Sequence, residues 1–203
     1  MGETPTISKP EHRVLIVSCG SVGIVNLPQY LIMLKAAHIS VRCIMTPMAE
    51  KFVPAQTVRC FVDKVATGFI SNDGALQSLH IEWPAWADHV VVLPASANTI
   101  AKMAAGISDT LASAALVATT VPLWVFPNME ASLAKSPATQ DNLKVLESRG
   151  VTVKRFSRKT LSVSSGELHP SSWALPSLGD FKNFLDNLFP LGATAGASQE
   201  SPI

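Results

Sequence analysis

The sequence predicts a doubly wound α/β domain built on a parallel sheet, and two observations lead to this prediction. The first is a series of short, continuous apolar runs bounded by turn residues, at Val14–Ser18, Val41–Met45, Val90–Leu93, Leu123–Phe126 and Val151–Val153. Apolar runs without polar alternation are typical of strands buried on both faces of a parallel sheet. The second is helical spacing between the runs, so that strand and helix alternate as in βαβ units.

The predicted helices are marked by apolar residues three or four positions apart. Their apolar faces comprise Leu27, Leu31 and Leu34; Ile100, Met103, Ala104 and Ile107; Leu143, Val145 and Leu146; and Phe181, Phe184, Leu185 and Leu188. The third helix is expected to end at Arg149 and Gly150, because a basic last turn followed by glycine is a common helix stop. The fourth is expected to be a final surface helix.

Composition limits the classes of function. The chain has 203 residues, of which 47% are hydrophobic, and a formal net charge of +1. This length suits one domain with a substantial core, and the balanced charge gives no support for nucleic acid or an anionic membrane as the main partner. No apolar run approaches the roughly 20 residues that span a bilayer, and the first ten residues lack a signal-peptide pattern. We therefore expect a cytoplasmic protein.

The domain boundaries follow from the polar ends of the chain. Residues 1–12 are predicted to be a disordered N-terminus, residues 13–190 the folded domain, and residues 191–203 a disordered tail. The three cysteines, Cys19, Cys43 and Cys60, are too few and too irregularly spaced for a disulfide framework or a zinc site. They are interpreted as buried, reduced thiols, and no metal site is predicted.

Small and polar residues follow the predicted strands, where ligands bind in sheets of this class. The segments are "SCGSVGIVN", "TPMAEK", "PASANT" and "PNMEAS". Gly20, Ser21, Gly23, Thr46 and Ser96 could hold a phosphate, since glycine, hydroxyl groups and helix N-termini bind anions without a basic side chain. Each turn taken alone is equally consistent with simple helix capping; four such ends on one sheet edge favour a nucleotide-like cofactor.

The kind of nucleotide is narrowed by motifs that do not occur. "GSVGIVN" lacks the G-x-G-x-x-G order of a dinucleotide site, and the chain has no Gly-Lys-Ser/Thr of a P-loop. A mononucleotide such as FMN fits better, because its phosphate needs only backbone and hydroxyl donors.

Several spaced motifs resemble one enzyme family. "HIEWPAWADHVVVLPASANT", "GISDTL", "CGSVG" and "FPNM" followed by "PATQDNLKVLESRGV" extend over residues 13–156. They resemble the homo-oligomeric flavin-containing cysteine decarboxylases, which include phosphopantothenoylcysteine decarboxylase and the peptidyl-cysteine decarboxylases of lantibiotic (epidermin-type) maturation. The resemblance implies a flavodoxin-like fold, FMN as cofactor, and trimers or dodecamers with the flavin between neighbouring subunits.

The resemblance also assigns roles to residues. His80 would be the catalytic histidine, since an imidazole is suited to moving the thiol proton near neutral pH. The cofactor-binding residues would be Gly20, Ser21, Val22, Thr46, Pro94, Ala95, Ser96, Asn98, Thr99 and Met129.

The residues expected to bind the substrate depart from the family pattern. That pattern, Pro-x-Met-Asn-x-x-Met-Trp, has an asparagine that meets the substrate carboxylate, and this chain has Glu130 there. An ionised glutamate would repel a carboxylate, so Glu130 must be protonated or turned away, or Asn128 or a backbone group takes over. The loop "LSVSSGELHPSS" is expected to contribute Ser164, Ser165 and Gly166 to substrate binding, although a disordered connection is the alternative.

The expected reaction is oxidative decarboxylation of the C-terminal cysteine of a ribosomally made precursor peptide. Oxidation of the cysteine Cβ to a thioaldehyde, with hydride transfer to flavin, creates the electron sink for loss of carbon dioxide. The product is an aminoenethiol for aminovinyl-cysteine formation. The alternatives are phosphopantothenoylcysteine decarboxylase, whose C-terminal loop uses a cysteine that this loop lacks, and a non-catalytic FMN-binding regulatory protein.

Overall fold

The computed structural model describes residues 12–68, 78–161 and 166–190. Its strands are β1 (Arg13–Ser18), β2 (Ser40–Met45), β3 (Lys64–Thr67), β4 (His89–Ala95), β5 (Leu123–Pro127), β6 (Thr152–Val153), β7 (Phe156–Leu161) and β8 (Leu168–Ala174). Its helices are α1 (Leu27–Ala36), α2 (Pro47–Phe52), α3 (Ala55–Arg59), α4 (Leu79–Trp86), α5 (Ala97–Ala105), α6 (Leu111–Val117), α7 (Ala131–Lys135), α8 (Pro137–Ser148) and α9 (Leu178–Leu188), with a 3₁₀ turn at Val22–Asn26.

Six parallel strands form the sheet, in the order β3-β2-β1-β4-β5-β6. The alternation of side chains along β1 places Ile16 in one apolar cluster and Leu15 in the other. Along β4, Val91 and Val92 divide in the same way. Both faces of these strands are therefore buried, which is why their sequences read as unbroken apolar runs.

Helices cover the two faces of the sheet. One core is closed by α1 and α9, and includes Leu31 and Phe181. The other is closed by α4, α5, α6 and α8, and includes Trp83 and Ile100. Each such fully buried side chain contributes roughly 1.5–3 kcal/mol through removal of apolar area from water. The predicted doubly wound α/β fold is therefore confirmed.

Hydroxyl side chains cap several helices at the strand-to-helix turns. The Oγ1 of Thr46 accepts from the Ala49 N–H at 3.2 Å, and the Oγ of Ser96 accepts from the Thr99 N–H at 3.3 Å. Such a cap contributes about 1 kcal/mol to helix stability. The capping interpretation of these turns thus holds, and it leaves the remaining N–H groups of the first helical turn available to a ligand.

β3 and α6 were not predicted, and three further features differ from the predicted elements. The fourth strand of the sequence, β4, continues past Leu93 to Ala95. The segment around His80 is a helix, α4, which the pattern missed because Pro84 lies within it and the segment is short. The second predicted helix ends before Ile107, since Gly106 adopts a left-handed φ of 71° that stops the helix.

The cysteines also require one correction. Cys19 and Cys43 are buried thiols as predicted, whereas Cys60 is exposed at the end of α3. Burial raises the pKa of the Cys19 thiol to about 11 and that of Cys43 to about 12. Both therefore stay protonated at neutral pH, and neither is a reactive thiolate.

The described helices include none that is long and apolar enough to cross a bilayer. The described residues likewise contain no group of three or more His, Cys, Asp or Glu side chains arranged to hold a metal ion.

The packing of α9 leads to a stability prediction. Phe181 is 1% exposed and contacts Tyr30 edge-on, at 4.8 Å between ring centroids. We expect Phe181→Ala to lower the free energy of unfolding by about 3–5 kcal/mol, because it removes a ring and leaves a cavity. Urea denaturation followed by circular dichroism measures the change. The control is Leu178→Ala, one turn earlier on α9 and 47% exposed, with an expected loss below about 1 kcal/mol; equal losses would contradict the packing described.

Candidate functional site

A cavity of about 460 Å³ opens at the carboxyl-terminal edge of the sheet. Its volume lies within the ~300–1,000 Å³ range of small-molecule and cofactor sites. The lining residues come from the turn after β1, the start of α5, the segment after β5 and the β7–β8 hairpin: Gly20, Ser21, Val22, Phe52, Ser96, Ala97, Asn128, Met129, Glu130, Ala131, Leu133, Thr160, His169, Pro170, Ser171 and Trp173. The described lining therefore contains no lysine or arginine.

The turn after β1 is packed too closely for larger residues. A Cβ placed on Gly20 would lie 2.2 Å from the Cγ of Met48, and one on Gly23 would lie 2.3 Å from the Oδ1 of Asn128. The main chain at Gly20 therefore packs directly against Met48, and the main chain at Gly23 packs directly against Asn128. This close packing brings the main chain of the turn and the Ser21 hydroxyl to the edge of the cavity.

The start of α5 supplies the second wall, at Ser96 and Ala97. The Oγ of Ser96 lies 3.2 Å from the Oγ1 of Thr99, which is buried. The helix has nine residues, and its N-terminus carries unpaired N–H groups and the positive end of the helix dipole. A phosphate at this wall would be bound by N–H and hydroxyl donors rather than by a basic side chain.

The segment after β5 supplies the third wall. The Asn128 N–H donates to the Ala95 carbonyl at 2.9 Å, which continues the sheet by one bond beyond the paired strands. Met129 is half-buried, and Glu130 is exposed at the start of α7. The cavity thus presents an amide, a thioether and a carboxylate in succession along one stretch of chain.

The fourth wall is a two-stranded antiparallel hairpin, β7–β8, where the sequence predicted a loop. Thr160, His169, Ser171 and Trp173 line the cavity from it. Its residues lack a regular apolar alternation, since both strands are largely exposed, and this is why the strand pattern was missed. The hairpin turn includes Gly166, which is exposed, has a φ of 72° and does not line the cavity; Ser164 and Ser165 lie outside the described residues.

The predicted cofactor residues divide into two groups. Gly20, Ser21, Val22, Ser96 and Met129 line the cavity, whereas a second group does not. That group comprises Thr46, the cap of α2; Pro94 and Ala95, buried in β4; Thr99, buried in α5; and Asn98, exposed on α5. Of the predicted substrate residues, Asn128 and Glu130 line the cavity.

His80 lies away from this cavity within one chain. It is half-buried in the first turn of α4, a helix that contacts α6 and β1. A separate cavity of about 610 Å³, between β3 and α4, is lined by residues of both charges, including Arg42, Lys64 and Glu82, and His80 does not line that one either. The structure therefore brings the turn after β1 and the segment after β5 together at one cavity. His80, the predicted catalytic residue, does not line that cavity.

Sequence comparison identifies relatives with named activities. The chain is 28% identical over 176 residues to epidermin decarboxylase of Staphylococcus epidermidis, covering 86% of this chain and 94% of that protein. It is 30% identical over 142 residues to the coenzyme A biosynthesis bifunctional protein CoaBC of Escherichia coli strain K12, covering 70% of this chain and 35% of that protein. The chain thus spans about a third of the bifunctional relative.

Solved structures of cysteine decarboxylases have a fold similar to that of this chain. A complex of the peptidyl-cysteine decarboxylase EpiD with the substrate peptide DSYTC matches with a TM-score of 0.75 at 28% identity, over 86% of this chain and 98% of that one. The FMN-dependent cysteine decarboxylase TvaF from thioviridamide biosynthesis matches with a TM-score of 0.67 at 29% identity, over 71% of this chain and 90% of that one.

The family described as Flavoprotein matches residues 3–174, which is most of the chain. The order of the six parallel strands and the flanking helices agree with this fold, so the predicted flavodoxin-like architecture is confirmed. The match also confirms the predicted flavin cofactor and the predicted resemblance to cysteine decarboxylases. The chain belongs to the Flavoprotein family.

Proposed function

We propose that this protein is an FMN-dependent decarboxylase that acts oxidatively on the C-terminal cysteine of a precursor peptide. The observation that favours a peptide is the β7–β8 hairpin, which forms one wall of the cavity and contains no cysteine anywhere between residues 156 and 174. The coenzyme A branch requires a cysteine in its C-terminal loop to reduce the ene-thiol. Without that thiol, the reaction ends at the enethiol, which is the product of the peptide branch.

The cavity fits FMN by its donor chemistry. FMN, when bound, supplies the electron acceptor for oxidation of the cysteine Cβ to a thioaldehyde. Ser96 and the N–H groups at the start of α5 would hold the phosphate, and Met129 would cover the ring. The absence of lysine and arginine from the described lining agrees with a phosphate bound by helix dipole and hydroxyl groups.

The position of His80 favours a site shared between subunits. Within one chain His80 does not line the cavity. Exposed apolar side chains lie both beside the cavity, at Val22, Met48 and Phe52, and beside His80, at Ile81. We infer that a homo-oligomer, a trimer or a dodecamer, buries these side chains and brings His80 of one chain to the flavin of the next, where its imidazole would manage the thiol proton.

The function is tested by mass spectrometry of the products. We expect the peptide DSYTC, or a library of peptides ending in cysteine, to lose about 46 Da (carbon dioxide plus two hydrogens), because the flavin removes two electrons before carbon dioxide leaves. The matched peptides ending in serine should be unchanged. Loss of carbon dioxide alone from phosphopantothenoylcysteine, with every cysteine-terminated peptide untouched, would contradict the proposal in favour of the coenzyme A branch.

The role of His80 leads to a second prediction. We expect His80→Asn to lower kcat at least about 100-fold, as for loss of a positioned acid or base, while the flavin absorption of the purified protein is retained. The control is His38→Asn, an exposed position at φ 56° where asparagine is well tolerated. Unchanged turnover in His80→Asn would remove this residue from the mechanism.

The charge of Glu130 leads to a third prediction. We expect Glu130→Asn to lower the KM of a cysteine-terminated peptide about tenfold, because it removes a negative charge that repels the substrate carboxylate at the cavity rim. Steady-state kinetics at low ionic strength give the value. Glu147→Asn, which removes the same charge from α8, should leave KM unchanged. A higher KM in Glu130→Asn would show instead that the glutamate takes part in binding the substrate.

A further inference from the structure

We propose that Asn128 is a positioning residue that ties the cofactor turn after β1 to the β7–β8 hairpin, rather than the residue that holds the substrate carboxylate. The proposal rests on the proposed function for its consequence in catalysis, although its central test does not. Asn128 occupies the variable position of the Pro-x-Met-Asn pattern, so the resemblance assigns it no role.

One side of Asn128 is engaged with the turn after β1. The Oγ of Ser21 donates its proton to the Asn128 side-chain Oδ1 at 2.5 Å and lies 3.0 Å from the Asn128 main-chain carbonyl. A Cβ on Gly23 would lie 2.3 Å from the same Oδ1. Only glycine therefore fits at this position, where the turn contacts the Asn128 side chain. The single Ser21 proton is thereby directed at Asn128. The conformation of the cofactor turn therefore depends on this amide.

The other side of Asn128 is engaged with the hairpin. Its Nδ2 donates to the Trp173 carbonyl in β8 at 3.1 Å. Its main-chain N–H donates to Ala95 at the end of β4, so the residue is fixed to the sheet as well. The side chain is half-buried, where a hydrogen bond is less exposed to competition from water. One residue thus connects the sheet, the turn after β1 and the strand on which the cavity-lining residues His169 and Ser171 lie.

The rest of the hairpin is attached at its base. Phe156 stacks on Phe126 with ring centroids 6.0 Å apart, and an Arg158 guanidinium N–H donates to the Leu175 carbonyl at 3.4 Å. These contacts fix where the hairpin leaves the domain but do not involve the cofactor turn. Within the described residues, the Asn128 side-chain amide connects that turn to the hairpin. The position of the hairpin over the cavity is consequently coupled to the turn that faces the cofactor.

The test is hydrogen–deuterium exchange of residues 168–174 in FMN-loaded protein without substrate. We expect Asn128→Ala to lower protection of β8 roughly threefold to tenfold, the range for loss of one partly buried hydrogen bond. Asn128→Asp should do the same, because it keeps the acceptor for Ser21 but loses the donor to Trp173. Ser21→Ala, which leaves that donor in place, should keep β8 protection and weaken FMN affinity.

The control is Asn187→Asp on α9, an exposed asparagine whose replacement should leave β8 unchanged. A residue that only held the substrate carboxylate would leave β8 protection at the wild-type level in both Asn128 variants, and that result would overturn the proposal. In active protein, the Asn128→Asp variant should raise the KM of a cysteine-terminated peptide with a smaller effect on kcat. Because exchange is measured without substrate, a failure of the decarboxylation assay does not change the outcome of the exchange test.

Discussion

The burial of both faces of the parallel sheet is the constraint on which the rest of the molecule depends. Since side chains of β1 and β4 face two apolar cores, neither face can carry polar chemistry without a cost in desolvation. Polar groups therefore collect where the strands end, and parallel strands end at one edge. The turn after β1, the cap of α5 and the segment after β5 meet there because the strands are adjacent in the order β1-β4-β5.

The chemistry of this edge is governed by dipoles more than by charges. Hydroxyl groups and N–H groups face the cavity, and the described lining carries one carboxylate, Glu130, and one imidazole, His169. An anion bound there gains from the α5 dipole without a basic side chain that would also attract other anions. Under the proposed function, the carboxylate of Glu130 would act on the substrate rather than on the flavin phosphate.

The β7–β8 hairpin lies outside the parallel sheet and forms a separate wall of the cavity. The sheet edge is the proposed cofactor site, and the chain resembles both epidermin decarboxylase and the coenzyme A biosynthesis bifunctional protein CoaBC. The hairpin is attached at its base by Phe156 and bonded to the sheet edge through Asn128. Because Asn128 connects the hairpin to the turn after β1, a change in the hairpin can affect that turn as well as the wall that the hairpin forms in the cavity.

By itself the sequence determined the strand and helix alternation, because apolar runs report local requirements directly, and its spaced motifs indicated the flavin. Only the tertiary structure decided where distant segments meet. The hairpin was missed since its strands are exposed and carry no apolar alternation, and α4 was missed because Pro84 obscures a short helix. The partners of Asn128 lie 107 and 45 residues away along the chain, so their hydrogen bonds leave no trace in local pattern. Long-range contacts of polar side chains depend on the packing of the whole domain, and spacing along the chain does not encode them.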